Sequence, residues 1–417
     1  MNSSKWWILF LVFLWIPFQV HAQTQTLSLE DVVERFKQYS LQQELAELDK
    51  LRKQGAAQQY KSYMNPEVSI FSEQLNAGTL DYDETTYQIS QPIELLGQPF
   101  LRNKSATKSS EAAELSYEYD RSVLIQQVKS LYAGYWYLQH KLEVYEQALA
   151  VINHVLASSK ARQTEGTESG LQVQRFTVEK NRYLRERNNV ELEMMQAGNQ
   201  LAAMITSSEE TGFKFQVEAD LPVEPIMEDS ETLQDYALTH RADLEAMELE
   251  AEAAGLNYKV EKRERLPDLK VNFGYKNQSD GSEGFVIGGG IQLPIFNRNS
   301  GSITMAEAKH RSVETSMQLQ RRTIRNQVDV AYHRVQNLYA QWQEMQQNPL
   351  SAEMLETSRS AYQEGRYSLI ELLDATKAYV DGRSLQHRIT ADYQQALFTL
   401  DTITSGKILS TQKTSEP

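Results

Sequence analysis

The chain has 417 residues, of which 24% are charged and 41% are hydrophobic, and it contains no cysteine. Its formal net charge of -14 disfavours nucleic acid and anionic membrane surfaces as partners, because like charges repel one another. Without cysteine the chain has no disulfide, no thiolate metal site and no thiol to which lipid could be attached. The composition favours an acidic, solvated protein whose ligands or partners are expected to be cationic.

The first residues have the order of a secretory signal. An apolar run over residues 6–18 follows Lys5 and precedes the small residue Ala22. The alternative is an N-terminal membrane anchor, but the run is shorter than the roughly 20 residues that a spanning helix needs. Residues 1–22 are therefore predicted to be a signal peptide, with the mature chain beginning near Gln23.

The first repeat is predicted to span residues 23–205. Periodicity predicts a helix over 29–64, a strand hairpin over about 67–91, a long helix over about 100–165 and a helix over 168–205. Pro66 and Pro92 are expected at the strand ends, since proline has no backbone N–H to donate. The long helix would measure about 100 Å at 1.5 Å per residue, which no ordinary globular domain accommodates.

Residues 206–230 contain prolines and acidic residues and are predicted to be a linker. The second repeat is predicted to span 231–405, before a C-terminal tail at 406–417. Its predicted elements are a helix over 231–265, a hairpin over about 268–293, a long helix over about 301–365 and a helix over 368–405. Pro267 and Pro294 are expected at the strand ends.

The second hairpin ends in the glycine-rich stretch GGGIQLPIFNRNSG, at residues 288–301. It is not a phosphate-binding loop, because no lysine follows the glycines in the order that such a loop requires. Its alternating apolar residues predict a strand of the length of a tilted transmembrane β-strand. The glycines are expected to lie on a crowded or tightly curved strand, where a missing side chain permits close approach.

The two repeats share an apolar pattern, since the spacing of apolar residues over 124–145 recurs over 324–345. Steps of four and three are typical of a coiled-coil seam. Pro349 falls on the second seam and is expected to kink or restart that helix. The predicted fold is mainly α and internally duplicated, with long antiparallel coiled-coil helices and four β-strands per protomer.

These features resemble the TolC-type outer-membrane efflux proteins. The resemblance spans essentially the whole mature chain, and its most specific parts are IQLPIFNRNSG at residues 291–301 and YQEGRYSLIELLDA at residues 362–375. The stretch QPIELLG at residues 91–97 resembles the heavy-metal efflux branch related to CzcC and CusC. The lack of cysteine and the presence of Gln98, where a basic residue is common, depart from that branch.

The resemblance implies a homotrimer whose chains each give four strands to one transmembrane β-barrel in the outer membrane of a Gram-negative bacterium. The helices would form a tunnel in the periplasm. The implied partners are a periplasmic adaptor protein, an inner-membrane transporter of the RND type and outer-membrane lipid. The implied function is the exit duct of a tripartite efflux pump, with heavy-metal cations as substrate in that branch.

Two other functions remain open from the sequence. The same architecture serves as an exit duct for drugs or for type I secreted polypeptides, because the transporter sets the substrate. A periplasmic coiled-coil scaffold without a barrel is a rival from another class. Detergent-dependent extraction from outer membranes would distinguish a duct from a scaffold, since a scaffold would appear in the soluble periplasmic fraction.

Glu371 and Asp374 are the candidate entrance residues. They lie three apart and so share a helix face, and the resemblance places them at the narrow periplasmic entrance. Threefold symmetry would join them into a carboxylate ring that attracts cations. The alternative is a pair of solvated helix carboxylates.

Four further positions follow from the resemblance. Tyr362 and Arg366 fall near the positions that hold the entrance shut in the family, although Arg366 is displaced by one residue. The alternative for Tyr362 is a packed aromatic residue of the seam. The turns at Gly166 and Gly365 are expected at the hairpin tips that contact the adaptor.

No catalytic constellation is present in the sequence. The seven histidines are scattered and form no stripe with the eleven methionines, so no metal site and no cofactor is predicted. A hydrolase that uses Glu371 and Asp374 is a remote alternative, because nothing surrounds them to raise a pKa. The sequence indicates a protein that is not an enzyme.

Overall fold

The structure is a computed structural model that describes residues 25–77, 80–207, 213–218, 220–347 and 351–409. The predicted signal peptide, Pro349 and the end of the predicted tail lie outside these ranges, as does part of the predicted linker. None of the helices within the described ranges has the length and hydropathy of a membrane-crossing helix.

The first half of the described chain contains three strands and four helices. In order they are β1 (Gln25–Leu27), α1 (Leu29–Tyr39), α2 (Leu41–Lys61), β2 (Glu67–Ala77), β3 (Leu80–Ile93), α3 (Gln98–Thr164) and α4 (Gly170–Ile205). The second half contains three strands and five helices. They are β4 (Phe215–Val217), α5 (Ser230–His240), α6 (Ala242–Arg263), β5 (Asp268–Gln278), β6 (Glu283–Gln292), α7 (Ser300–Gln347), α8 (Ala352–Gln363) and α9 (Leu369–Ile403).

Two segments expected to be single helices are each divided by one extended residue. Ser40 separates α1 from α2, and Arg241 separates α5 from α6. Ser40 accepts a hydrogen bond from the Gln43 amide and so begins the second helix. The expectation of continuous helices over 29–64 and 231–265 was wrong. At the first break, serine satisfies the backbone locally and so allows one helix to end and another to begin.

The buried guanidinium of Arg241 stabilises the second of these breaks. Its side chain is 1% exposed and forms two hydrogen bonds with Asp243, at 2.8 and 2.9 Å. It also donates to the Tyr119 hydroxyl at 2.8 Å, which ties the break to α3. A charge this deeply buried is tolerated because its donors have partners.

The long helix of the first half is continuous and that of the second half is not. α3 has 67 residues, or about 100 Å at 1.5 Å per residue. α7 ends at Gln347 and α8 begins at Ala352, on either side of the segment that contains Pro349. The helices pack around three clusters of buried apolar residues, and the parallel pair of β1 and β4 contributes Leu27, Phe215 and Val217 to the cluster that contains Val128 and Trp136 of α3.

Four strands form one antiparallel sheet in the order β2-β3-β5-β6, so β2 and β6 are its edges. Alternate residues share a face. One face carries exposed apolar side chains: Val68, Ile70, Tyr87, Ile89, Phe273, Phe285, Ile287 and Ile291. The other face is polar, and on it Lys276 pairs with Glu84 and Lys270 with Glu67. We call these the apolar face and the polar face.

The prolines lie close to the strand ends. Pro66 and Pro267 immediately precede β2 and β5. β3 continues through Pro92 to Ile93, and β6 ends two residues before Pro294. Proline at these positions leaves the interior ladder of the sheet intact.

The glycines of β6 are not crowded within the chain, contrary to expectation. A Cβ added to Gly290 would meet nothing within 4 Å, and at Gly289 the nearest atom would lie at 3.7 Å, which is ordinary contact. The crowded glycine is Gly274 of β5, where a Cβ would come within 2.7 Å of the Tyr87 carbonyl oxygen. Crowding could not be read from the sequence, because it depends on which strand becomes an edge.

A buried ion pair marks the junction between sheet and helices. Arg102, near the start of α3, pairs with Glu94, which follows β3, and lies 3.6 Å from Glu264 at the end of α6. Gly97 adopts a φ of 73° immediately before α3, a conformation that favours glycine. These contacts join the start of α3 to the end of β3 and to the end of α6.

Candidate functional site

Two tight turns lie at the end of α3 that is farthest from the sheet. Gly166 joins α3 to α4 with a φ of 77°, and Gly365 joins α8 to α9 with a φ of 75°. In each turn the amide after the glycine donates back to a helix carbonyl, at 3.0 Å in the first and 2.8 Å in the second. These bonds satisfy carbonyls that a helix end leaves without partners. We call residues 162–168 the first turn and residues 361–367 the second turn.

Tyr362 links the two turns within one chain. Its side chain is buried, its hydroxyl donates to a Glu168 carboxylate oxygen at 3.0 Å, and it accepts from Arg162 at 3.4 Å. The Glu168 carboxylate also accepts from Ser159 at 2.5 Å and from Arg162 at 2.7 Å. The Phe176 ring packs edge-on against the Tyr362 ring, with centroids 5.7 Å apart. The packed-seam interpretation and a role at the turn are therefore both compatible with Tyr362.

The carboxylate of Glu168 is the centre of this network. Its side chain is only 5% exposed. Burial alone would raise its pKa, but the hydrogen bonds from Arg162, Ser159 and Tyr362 hold the pKa below its ordinary value of 4.5. Burial, followed by the hydrogen bond to this carboxylate, raises the pKa of the Tyr362 phenol. Glu168 is thus ionised at neutral pH and Tyr362 is the donor.

Glu371 has a local structural role that was not predicted from the sequence. Ser368 is the N-cap of α9, and the Glu371 carboxylate accepts from the Ser368 amide at 2.7 Å. The Ser368 hydroxyl accepts from the Glu371 amide at 3.3 Å, which completes a capping box. Hydrogen bonds from Ser368 lower the pKa of Glu371. The S-x-x-E spacing was visible in the sequence.

Asp374 lies one turn further along α9, on the same side of the helix as Glu371, and both are exposed. At the equivalent positions after Gly166, the first hairpin carries Gln172 and Arg175. A single chain therefore brings two exposed carboxylates together after the second turn and a neutral and a cationic residue after the first.

Arg366 forms a local ion pair rather than a contact with another helix of the same chain. Its guanidinium lies 2.7 Å from the Glu364 carboxylate within the second turn, and both side chains are more than half exposed. An exposed pair of this kind contributes little to stability. The inter-helix contact is made by Arg162 of the first turn, which the sequence analysis did not single out.

The described part of the chain contains no group of three or more histidine, aspartate or glutamate side chains placed to hold a metal ion.

Together these features define a class of protein: a chain of long paired helices with a four-stranded sheet at one end and two linked tight turns at the other. The family described as Outer membrane efflux protein matches residues 37–207 and 233–406. The chain belongs to this family. The resemblance to outer-membrane efflux proteins is thereby confirmed.

Two curated relatives are named for metal resistance. The cobalt-zinc-cadmium resistance protein CzcC of Cupriavidus metallidurans is 22% identical over 359 residues, covering 84% of this chain and 83% of that protein. The nickel and cobalt resistance protein CnrC of the same organism is 25% identical over 271 residues, covering 63% of this chain and 62% of that protein.

Solved structures share the fold. The outer membrane protein VceC of Vibrio cholerae has a TM-score of 0.75 at 19% identity, covering 91% of this chain and 96% of that chain. CusC has a TM-score of 0.74 at 17% identity, covering 91% of this chain and 93% of that chain. The arrangement of helices and strands in this chain is thus that of known outer-membrane channels.

Proposed function

We propose that this chain is the outer-membrane exit duct of a tripartite efflux pump, which passes substrate passively from the periplasm to the exterior. The observation that carries the proposal is the family match, because its two segments include both strand pairs and both helix hairpins. A passive duct needs a pore, an entrance and docking surfaces but no catalytic residues.

The pore is proposed to form when three copies join their sheets into one barrel in the outer membrane. Each chain leaves the edges of β2 and β6 unpaired. Lipid cannot satisfy the backbone donors and acceptors of such edges, whereas pairing between copies does. The apolar face would then contact lipid and the polar face would line the pore. The helices would extend into the periplasm.

The entrance is proposed to lie at the second turn. Glu371 and Asp374 from three copies would surround the axis, and the resulting negative potential would draw cations in. Tyr362 and Arg366 would hold the entrance shut. The periplasmic adaptor would contact the turns at Gly166 and Gly365 and connect the duct to an inner-membrane transporter of the RND type, which supplies the energy.

Divalent heavy-metal cations are the proposed substrate. The names of CzcC and CnrC refer to resistance to such metals, and the alignment with CzcC extends over most of both chains. The exposed carboxylates after the second turn and the net charge of -14 are compatible with cationic cargo.

Three measurements test the proposal. Membrane fractionation should recover the chain in the outer membrane, and native mass spectrometry in detergent should give a trimer. A strain that lacks its own duct should regain resistance to cobalt, zinc or cadmium when this chain is expressed with its adaptor and transporter.

Each contrary outcome has a distinct meaning. Recovery in the soluble periplasmic fraction would favour the scaffold. If the trimer restored export of a drug or polypeptide but not of metal, the proposed duct would stand and the proposed substrate would be wrong.

A further inference from the structure

The two edges of the sheet differ in what they place on the polar face. On β6 every second residue from 284 to 290 lies on that face, and Gly284, Gly288 and Gly290 have no side chain. Val286 is the fourth member of this row. The edge strand β6 therefore carries a strip of nearly bare backbone, which we call the glycine strip.

Neither backbone geometry nor crowding within the chain accounts for the glycine strip. None of its three glycines has a positive φ. Within the described part of the chain, a Cβ on Gly284 or Gly290 would meet nothing within 4 Å, and one on Gly288 would be in ordinary contact with Asn272 at 3.7 Å. The space above the strip is open in a single copy.

The opposite edge strand has the complementary feature. Phe71 and Leu75 of β2 also lie on the polar face, 58% and 51% exposed. They are the exposed large hydrophobic side chains of that face in the described part of the chain. Leaving an aromatic ring in water is unfavourable, so a pore-lining role alone does not account for them.

We propose that Phe71 of one copy packs over the glycine strip on β6 of a second copy. This inference rests on the proposed trimer, in which the two edges meet. Neighbouring strands of the sheet are antiparallel, so β6 of one copy would meet β2 of the next antiparallel as well. An aromatic side chain that lies across a cross-strand glycine covers exposed backbone and pins the register. Leu75 extends the contact along the same face.

The contact specifies how copies join. A contact between two β2 edges would place two Phe71 rings beside each other with no glycine strip for either to cover. A contact between two β6 edges would leave both glycine strips uncovered. The pairing of β2 with β6 is heterologous, and repeated heterologous contacts close into a ring when the rotation permits. The glycine strip and Phe71 therefore favour a closed assembly over a symmetric dimer.

Cysteine cross-linking tests the contact directly, because the natural chain contains no cysteine. Phe71→Cys is combined in turn with Gly284→Cys, Gly288→Cys and Gly290→Cys, and the detergent-extracted trimer is oxidised. At least one combination should give covalently linked copies on a non-reducing gel, since β-carbons on one face of paired strands lie within disulfide reach. The matched control is Ile70→Cys with the same glycine variants, because Ile70 lies on the apolar face.

A steric exchange gives a second readout. Phenylalanine at the glycine that cross-links should weaken the trimer to heat in detergent, and the added change Phe71→Gly should restore it. A trimer that cross-links through no Phe71 combination, or equally through Ile70, would overturn the inference and leave the proposed duct standing. Absence of any trimer would instead overturn the proposed assembly.

Discussion

At the scale of single residues, the bond from Tyr362 to Glu168 makes the turns sensitive to acid. A group whose pKa is lowered in the folded state stabilises that state above its ordinary pKa and loses this effect as pH falls through the lowered value. The ordinary value for Glu168 is 4.5, so the stabilisation is complete above pH 4.5 and is lost on further acidification. The network around Tyr362 should therefore hold at neutral pH and loosen in acid.

Glu168→Gln should loosen both turns at neutral pH, because the amide cannot accept from all three donors as a charge does. We expect a loss of about 1–3 kcal/mol of local stability, the usual effect of a missing partner at a buried hydrogen bond. Hydrogen exchange of residues 159–169 and 359–369, corrected for intrinsic pH dependence, measures it. Equal exchange in the parent and the variant at pH 7 and pH 4 would show that Glu168 does not hold the turns.

Single substitutions of Glu371 and Asp374 should have different effects. Asp374→Asn removes a charge without touching the cap of α9, so it should reduce cation preference in single-channel recordings while the trimer stays folded. Glu371→Gln removes the charge and weakens the capping box together. Ser368→Ala is the matched control, because it weakens the cap and keeps both carboxylates. Unchanged ion selectivity in Asp374→Asn would identify this carboxylate as an ordinary surface residue.

At the scale of elements, the break between α5 and α6 depends on one buried cation. Arg241→Ala should destabilise the chain by about 3–5 kcal/mol, since it leaves the largely buried Asp243 without its cationic partner. Thermal unfolding followed by circular dichroism in detergent measures the loss. Arg241→Lys should recover part of it, because lysine keeps the charge but not the paired donors. A melting temperature unchanged by Arg241→Ala would contradict this role.

Strand packing predicts that the glycines of the sheet are not equivalent. Gly274→Ala would place a methyl group 2.7 Å from the Tyr87 carbonyl oxygen, so the two strands would have to separate. Gly289→Ala meets only ordinary contacts and is the matched control. We expect Gly274→Ala alone to lower the temperature at which the trimer dissociates on a gel. Equal behaviour of the two variants would mean that β3 and β5 have more room than their backbones indicate.

Much of the element order could be read from the sequence, because long apolar seams and alternating strands depend on local periodicity. The breaks at Ser40 and Arg241 could not, since a serine within an apolar period does not by itself end a helix, and the break at Arg241 involves its contact with Tyr119 of α3. The contacts at the candidate site were harder to predict from the sequence. Glu371 was visible as a capping residue, whereas the contact of Tyr362 with Glu168 joins residues from the two halves of the chain, and no local pattern carries that information.

At the scale of the whole molecule, the length of α3 turns small rotations at the sheet into large displacements at the turns. A rotation of about 3° over a helix of about 100 Å moves its far end by about 5 Å, which is comparable to the width of a hydrated cation. Because Tyr362 joins the turns, both hairpins of a copy would swing together. In the proposed assembly the fulcrum of this rotation would be the contact between Arg102 and Glu94, at the opposite end of α3 from Glu371 and Asp374. Substitutions at this fulcrum would then be expected to change the width of the proposed entrance while leaving its carboxylates in place.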